Sequence, residues 1–211
     1  MRVGILGGSF DPPHVGHLLV AQDALMELAL DQLLVIPAAE QPLKFGLQAP
    51  SAQRLAMVAL SFGGIAGIDV DPVEIDRGGL SFMVDTVETI RRRMPAAALH
   101  LLVGEDVLAT LPRWREVDRL LAMVQLVVLT RQPSVRSVGT VSEHTLTGSS
   151  AVRHLATRRV DVSSTEIRKR IRDGRSIRGF VTDAVAAHIA SAGLYLENSR
   201  ESAIVELPER A

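Results

Sequence analysis

The chain has 211 residues, 47% hydrophobic but only 3% aromatic, enough for one sizeable aliphatic core in an α/β domain with at most a small appended subdomain. Its 23 basic and 24 acidic residues leave a formal net charge of −1, which argues against a general polyanion binder and so against a nucleic-acid partner. The absence of cysteine excludes disulfides, thiolate metal sites and cysteine nucleophiles. No apolar run approaches the roughly 20 residues that span a bilayer. The first residues lack the charged, apolar and cleavage regions of a signal peptide, so a soluble cytoplasmic protein with no membrane partner is expected.

Val3 to Leu6 reads as a short buried strand, ended by Gly7-Gly8. A helix is predicted from about Val15 to Leu30, with Leu18, Leu19, Ala21, Leu25, Met26 and Leu28 covering much of its surface. Leu33 to Ile36 is predicted as the second strand, stopped by Pro37, and Ser51 as the N-cap of a helix to about Phe62. Ile68 to Val70 suits a third strand, and Ser81 or a neighbour starts a helix through Met94. Leu99 to Val103 reads as a strand, Gly104-Glu105-Asp106 leads into a short helix, Arg115 to Met123 is helical, and Gln125 to Thr130 is a strong strand. Pro133 to Ser150, rich in Ser and Thr, is expected to be a long loop, and Val160 to Val162 a last strand. Two short helices follow, Thr165 to Arg172 and Thr182 to Ala192, with Gly174 and Gly193 as stop signals. The alternation implies a mostly parallel sheet with helices on both faces. The expected organisation is a core over 1–162, a C-terminal helical part over 163–195, and a tail over 196–211 expected to be mobile. The sequence leaves an oligomer open.

A glycine-rich turn between a first strand and a first helix suits phosphate, because backbone N–H groups approach an anion closely and the helix start adds partial positive charge. Gly7-Gly8-Ser9-Phe10-Asp11-Pro12 is not the G-x-G-x-x-G of dinucleotide-binding dehydrogenases, and no Gly-Lys-Ser/Thr phosphate loop is present. The specific feature is His14-Val15-Gly16-His17. Two histidines three apart at a helix start share a face, and Gly16 between them leaves room for a ligand to approach the backbone. Together they can donate to a phosphate that gains charge in a transition state. Capping or packing alone, or zinc binding with further ligands, are the other readings of the pair.

Gly8 to His17 matches the G-x-F-D-P-x-H-x-G-H signature and so resembles the nucleotidyltransferase superfamily of adenylyl- and cytidylyltransferases. The resemblance implies a Rossmann-like α/β fold and in-line attack of a substrate phosphate on the α-phosphorus of ATP, with release of pyrophosphate and no covalent enzyme intermediate. It also implies that His14 and His17 stabilise the reacting phosphates, that Gly8, Ser9, Phe10 and Gly16 shape the nucleotide site, and that Mg²⁺ accompanies the triphosphate. A second segment, Val162-Ser163-Ser164-Thr165-Glu166-Ile167-Arg168, resembles the superfamily's I-S-S-T-x-I-R motif. Ser163 or Ser164 suits an N-cap, and Arg168, one turn on, carries a planar fork that fits phosphate oxygens. Read alone, it is an ordinary capped helix with a solvated Arg. The resemblance makes Ser163, Ser164 and Arg168 the grip on the triphosphate.

Across about Val3 to Tyr195 the layout is similar to bacterial nicotinate-nucleotide adenylyltransferases, which implies nicotinate mononucleotide as the acceptor. That similarity places Gly104 and Asp106 near the nucleotide ribose, although Asp106 serves equally as a helix N-cap on sequence alone. It places Ser81, Phe82, Met83 and Trp114 at the nicotinate. It gives Lys44 to the phosphates and Arg131 to the ATP side, both of which otherwise read as surface charges. The chain departs from the family pattern at Ala39 (commonly Asn), Leu43 (commonly His) and Phe82-Met83 (commonly Tyr-Thr), all on the acceptor side. Nicotinamide mononucleotide, another phosphate monoester, or a nucleotide-binding module without catalysis are the alternatives.

Overall fold

The computed structural model describes residues 1–43, 46–132, 141–145 and 151–196. Its elements in chain order are β1 (Arg2–Gly8), α1 (Val15–Glu27), β2 (Gln32–Pro37), α2 (Ser51–Phe62), β3 (Ile68–Val70), α3 (Val73–Arg77), α4 (Met83–Arg93) and β4 (Ala98–Gly104). After two 3₁₀ turns at Glu105–Val107 and Leu111–Arg113 come α5 (Val117–Met123), β5 (Gln125–Gln132), β6 (Val141–Thr145), β7 (Ala151–Arg158), α6 (Ser164–Arg172) and α7 (Asp183–Ser191).

The strands form one sheet in the order β3-β2-β1-β4-β5-β7-β6. All neighbours pair in parallel except β6, which lies antiparallel on β7 at the edge. The sheet is apolar on both faces because successive side chains of a strand point to opposite sides. Val3 and Ile5 of β1, Leu34 and Ile36 of β2, Leu101 of β4 and Val128 of β5 pack with Val84, Val87 and Ile90 of α4 and Leu120 of α5. The intervening Leu33, Val35, Leu102 and Val127 pack on the other side with Ala21, Ala24 and Leu28 of α1 and Val58 and Phe62 of α2. Each fully buried Val, Ile or Leu contributes roughly 1.5–3 kcal/mol relative to exposure, so both faces must be covered. Gly4 in β1 lets neighbours close in: a Cβ there would sit 2.6 Å from side-chain carbons of Leu30 and Leu33, which would have to shift. A third apolar cluster joins α6 and α7 to α2 through Ile167, Val185, Ile189, Met57, Ala49, Val181 and Tyr195.

Most predicted elements stand within a few residues of their expected bounds, and four points differ. Val160 to Val162 is not a strand; the strand is β7, some residues earlier. Its Arg153, His154, Thr157 and Arg158 break the apolar run that marks a buried parallel strand, although Val152 and Leu155 are fully in the core. Part of the expected loop over Pro133 to Ser150 is the edge strand β6, whose Val-Ser-Glu-His-Thr sequence has no apolar run because an edge strand pairs on one side only. Pro50, not Ser51, occupies the N-cap of α2, and Ser51 is its first helical residue. The five-residue α3 was not predicted; it is shorter than any helical period can register. The stretch 197–211 of the expected tail lies outside the described residues.

Candidate active site

The strand order places β1 beside β4 while the chain winds outward from them in opposite directions. That arrangement opens a crevice at the carboxyl ends of these strands, where ligands bind in open α/β sheets. A cleft of about 910 Å³ lies there. Its wall includes Gly8, Ser9, His14, Gly16 and His17 from the first turn, Ser81, Phe82 and Met83 before and in α4, and Gly104, Asp106 and Trp114 after β4.

The turn after β1 is held from several directions. Phe10 has a positive φ of 48° and a buried ring that meets His17 edge-on at 5.0 Å and Phe62 at 6.3 Å between centroids. Phe10 therefore lies beneath the cleft and supports His17. The Asp11–Pro12 peptide is cis. The buried Asp11 carboxylate accepts the N–H groups of Gln48 (2.8 Å) and Ala49 (3.1 Å) and the hydroxyl of Tyr195 (2.8 Å). Burial, then the facing carboxylate, pushes the Tyr195 phenol far above its ordinary range, so it stays a donor. Arg54 of α2, 1% exposed, donates to the carbonyls of Ala49 (3.2 Å), Ser9 (2.9 Å), Ala38 (2.6 Å) and Ala39 (2.7 Å). One guanidinium thus ties the first turn to the end of β2 and the following loop.

His14 is the N-cap of α1, and its N–H donates to Nδ1 of His17 (3.2 Å). An accepting Nδ1 puts the proton of a neutral imidazole on Nε2, so geometry assigns His17 as an Nε2–H donor. The two rings stack with centroids 3.7 Å apart and planes at 27°. A Cβ on Gly16 would lie 3.0 Å from Cε1 and Nδ1 of His14. The room that Gly16 leaves is therefore taken partly by the His14 ring, a reason the sequence did not disclose. A Cβ on Gly7 would lie 2.7 Å from Cε of Met83, so that glycine lets the start of α4 close on the turn.

Ser163 caps α6, its Oγ accepting the N–H of Glu166 (3.1 Å). The other motif side chains reach back to the first turn. Ser164 Oγ donates to the Pro12 carbonyl (2.8 Å), and Arg168 Nη1 donates to the Asp11 carbonyl (2.7 Å). The structure thus brings the two sequence motifs together, although Ser163, Ser164 and Arg168 are not in the cleft wall itself.

Beyond β4, Gly104 occupies the cap of the first 3₁₀ turn and Asp106 lies within it, so Asp106 is not the N-cap that the sequence allowed. A Cβ on Gly104 would meet Asp106 Oδ1 at 2.5 Å, which shows the carboxylate folded back over the strand end. Trp114 both packs on the first core cluster and lines the cleft. Phe82, the neighbour of Ser81, is the N-cap of α4, within the start that the sequence allowed, and Ser81 Oγ accepts the N–H of Ala39 (2.9 Å). Arg131 is paired with Thr157 through the backbone of β5 and β7. Its side chain, and all of Lys44, lie outside the described residues.

Sequence reasoning missed three contributors. Arg54 shares the buried stripe of α2 with Met57, Val58, Ser61 and Phe62, a helical spacing that could have marked it. Tyr195 had no local signal, because its partner is 184 residues away. Glu74 of α3, 2% exposed and in the cleft wall, accepts from Thr86 Oγ1 (2.7 Å), which in turn accepts from Arg77 Nη2 (3.1 Å). Burial pushes the Glu74 carboxyl up, against the pull of its hydrogen bonds and of Arg77.

The cytidylyltransferase-like family model matches residues 5–170. A Gemmatimonas aurantiaca protein named "Probable nicotinate-nucleotide adenylyltransferase" is 64% identical over 211 residues, covering 100% of both chains. A Roseiflexus sp. protein of the same name is 40% identical over 194 residues, covering 92% of this chain and 97% of its own. Among solved structures, the Plasmodium falciparum nicotinic acid mononucleotide adenylyltransferase complexed with NaAD superposes with a TM-score of 0.72. At 16% identity over 92% of this chain and 97% of that one, this match establishes the Rossmann-like fold. With its signature turn at the switch point and full-length relatives at this identity, the chain belongs to the cytidylyltransferase-like family, among the nicotinate-nucleotide adenylyltransferases.

Proposed function

We propose that this enzyme transfers the adenylyl group of ATP to nicotinate mononucleotide, giving nicotinate adenine dinucleotide and pyrophosphate. A phosphate oxygen of the acceptor attacks the α-phosphorus, the bond to the bridging oxygen of the β-phosphate breaks, and pyrophosphate carries away the electron pair. Such a reaction needs little from protein groups beyond alignment and stabilisation of charge. His17, as an Nε2–H donor, and His14, stacked on it, serve the α-phosphate. Ser9, Gly8 and Gly16 let the backbone approach it. The start of α6, with Ser163, Ser164 and Arg168, takes the β- and γ-phosphates, and Arg131 and Lys44 assist on the phosphate side. Gly104 and Asp106 take the ribose, while Ser81, Phe82, Met83 and Trp114 form the acceptor wall.

The observation that carries this reading is the stacked His14–His17 pair opening into the cleft at the switch point, with the second motif anchored to the same turn. Among the described residues no group of three or more His, Asp or Glu is placed to hold a metal. In this proposal the divalent ion, Mg²⁺, enters as part of the nucleotide, where it neutralises phosphate charge. Among the described residues no helix is long and apolar enough to cross a membrane, and the cytoplasm is the proposed compartment.

The test is pyrophosphate release from ATP and Mg²⁺ with a panel of acceptors. Release with nicotinate mononucleotide, and formation of the matching dinucleotide, supports the proposal. Release only with nicotinamide mononucleotide or another monoester moves the acceptor. Nucleotide binding without release refutes catalysis.

A further inference from the structure

Nicotinate and nicotinamide mononucleotide differ only in a ring substituent, a carboxylate in one and a neutral amide in the other. A single backbone N–H binds either substituent through an oxygen, so it separates the two weakly. A side chain with a full positive charge separates them strongly, because a guanidinium meets a carboxylate through two parallel charge-assisted bonds. The acceptor side of this cleft has lost hydroxyl donors at Phe82 and Met83, which sharpens the question of what reads the substituent.

Among the described residues, three arginines lie in the cleft wall: Arg113, Arg115 and Arg158. Arg158 is spent on the buried Asp23 of α1, with Nε and Nη2 each 3.0 Å from a carboxylate oxygen. Arg115 is placed differently. Its Cζ lies 4.8 Å over the Phe82 ring, so the N-cap residue of α4 provides the platform on which the cation rests. Its carboxylate neighbours stand back: Asp85 Oδ2 is 3.7 Å from Nη1 and Glu116 Oε1 is 3.5 Å from Nε, with both carboxylates and the arginine substantially exposed. Pairs of that length and exposure are weak and screened, and a substrate carboxylate can displace them.

We propose that Arg115 is the specificity-determining residue of the acceptor subsite: resting on Phe82, it pairs with the acid group of the pyridine ring and selects the acid acceptor over the amide. This inference rests on the adenylyl-transfer reading above. It also explains how apolar Phe82 is accommodated at a polar task, since the ring that removes a hydroxyl supplies a face for a guanidinium.

The test compares kcat/KM for nicotinate and nicotinamide mononucleotide, at saturating ATP and Mg²⁺, in wild type, Arg115→Met and Arg115→Lys. Wild type should prefer the acid. Arg115→Met should lower kcat/KM for the acid at least tenfold more than for the amide, and Arg115→Lys should restore part of the preference. A parallel fall for both acceptors, or an unchanged ratio, overturns the role of Arg115 and leaves the reaction itself intact. A wild type that turns over the amide in preference to the acid also overturns it. A wild type inert with both acceptors refutes the functional reading and this inference together.

Discussion

Replacing Tyr195 with Phe removes one hydroxyl from the buried centre that holds the first turn, without changing the ring that packs there. Asp11 takes three hydrogen bonds on its carboxylate, from the N–H groups of Gln48 and Ala49 and from Tyr195 Oη at 2.8 Å. A hydrogen bond to a charged group contributes about 1.5–3 kcal/mol, and two donors remain on Asp11, so the expected loss is at the low end, about 1.5–2 kcal/mol. For a chain of this length each kcal/mol moves the melting temperature by roughly 2–4 °C, which makes the shift about 3–8 °C. Urea denaturation is the assay: the midpoint should fall with an unchanged slope, since the surface exposed on unfolding is the same. Because burial and Asp11 hold the phenol well above its ordinary range, it remains protonated throughout, and the penalty should be equal at pH 6 and pH 9. Turnover should fall as well, because the Asp11 carbonyl is the acceptor for Arg168. A penalty within the roughly 0.5 kcal/mol typical of surface substitutions, or one that vanishes at pH 9, would refute the reasoning.

Arg54→Met should destabilise by about 3–5 kcal/mol, since it strands four carbonyls that a buried cation now satisfies. Arg54→Lys should not rescue it in chemical denaturation, because one ammonium cannot span the same fork. Gly16→Ala should lower kcat more than tenfold with a normal circular dichroism spectrum, because the new Cβ would press on the His14 ring; unaltered kcat would show that the ring position is irrelevant. His100, buried in β4, is held below the ordinary histidine range by burial and then by Arg153 and Arg2. Its folded form resists protonation more than the unfolded chain does. Its contribution is therefore complete above about pH 6.5 and drains away as pH falls below it. The fall in urea midpoint from pH 7 to pH 5 should be smaller in His100→Gln; an equal fall would remove His100 from the account.

How much was readable in the chain depended on how local the cause was. The sheet was legible because Leu33 to Ile36 and Leu126 to Leu129 are apolar on every residue, as strands covered on both faces must be. The turn from Gly8 to His17 and the cap at Ser163 were legible because their chemistry is contained in consecutive residues. What the two motifs do to each other was not. Ser164 reaches Pro12 across 152 positions and Arg168 reaches Asp11 across 157, and no spacing rule carries information over that distance. The strand β7 was hidden for another reason. It sits in the sheet interior between β5 and β6, yet Arg158 must leave it to meet Asp23, so its sequence serves an ion pair as well as a core. Ser51 looked like a helix cap because serine favours that position. In the fold Pro50 occupies the cap of α2 and Ser51 is its first helical residue.

The central claim is that the stacked histidines of the first turn stabilise the phosphate being transferred. It is tested most directly by single-turnover pyrophosphate release from ATP and Mg²⁺ with nicotinate mononucleotide, in wild type and His17→Ala. The account predicts rapid release and dinucleotide formation in wild type, and a rate reduced at least a hundredfold in a folded His17→Ala protein, consistent with the roughly 10²–10³-fold cost of removing one preorganised donor. A His17→Ala rate within a few-fold of wild type would contradict it.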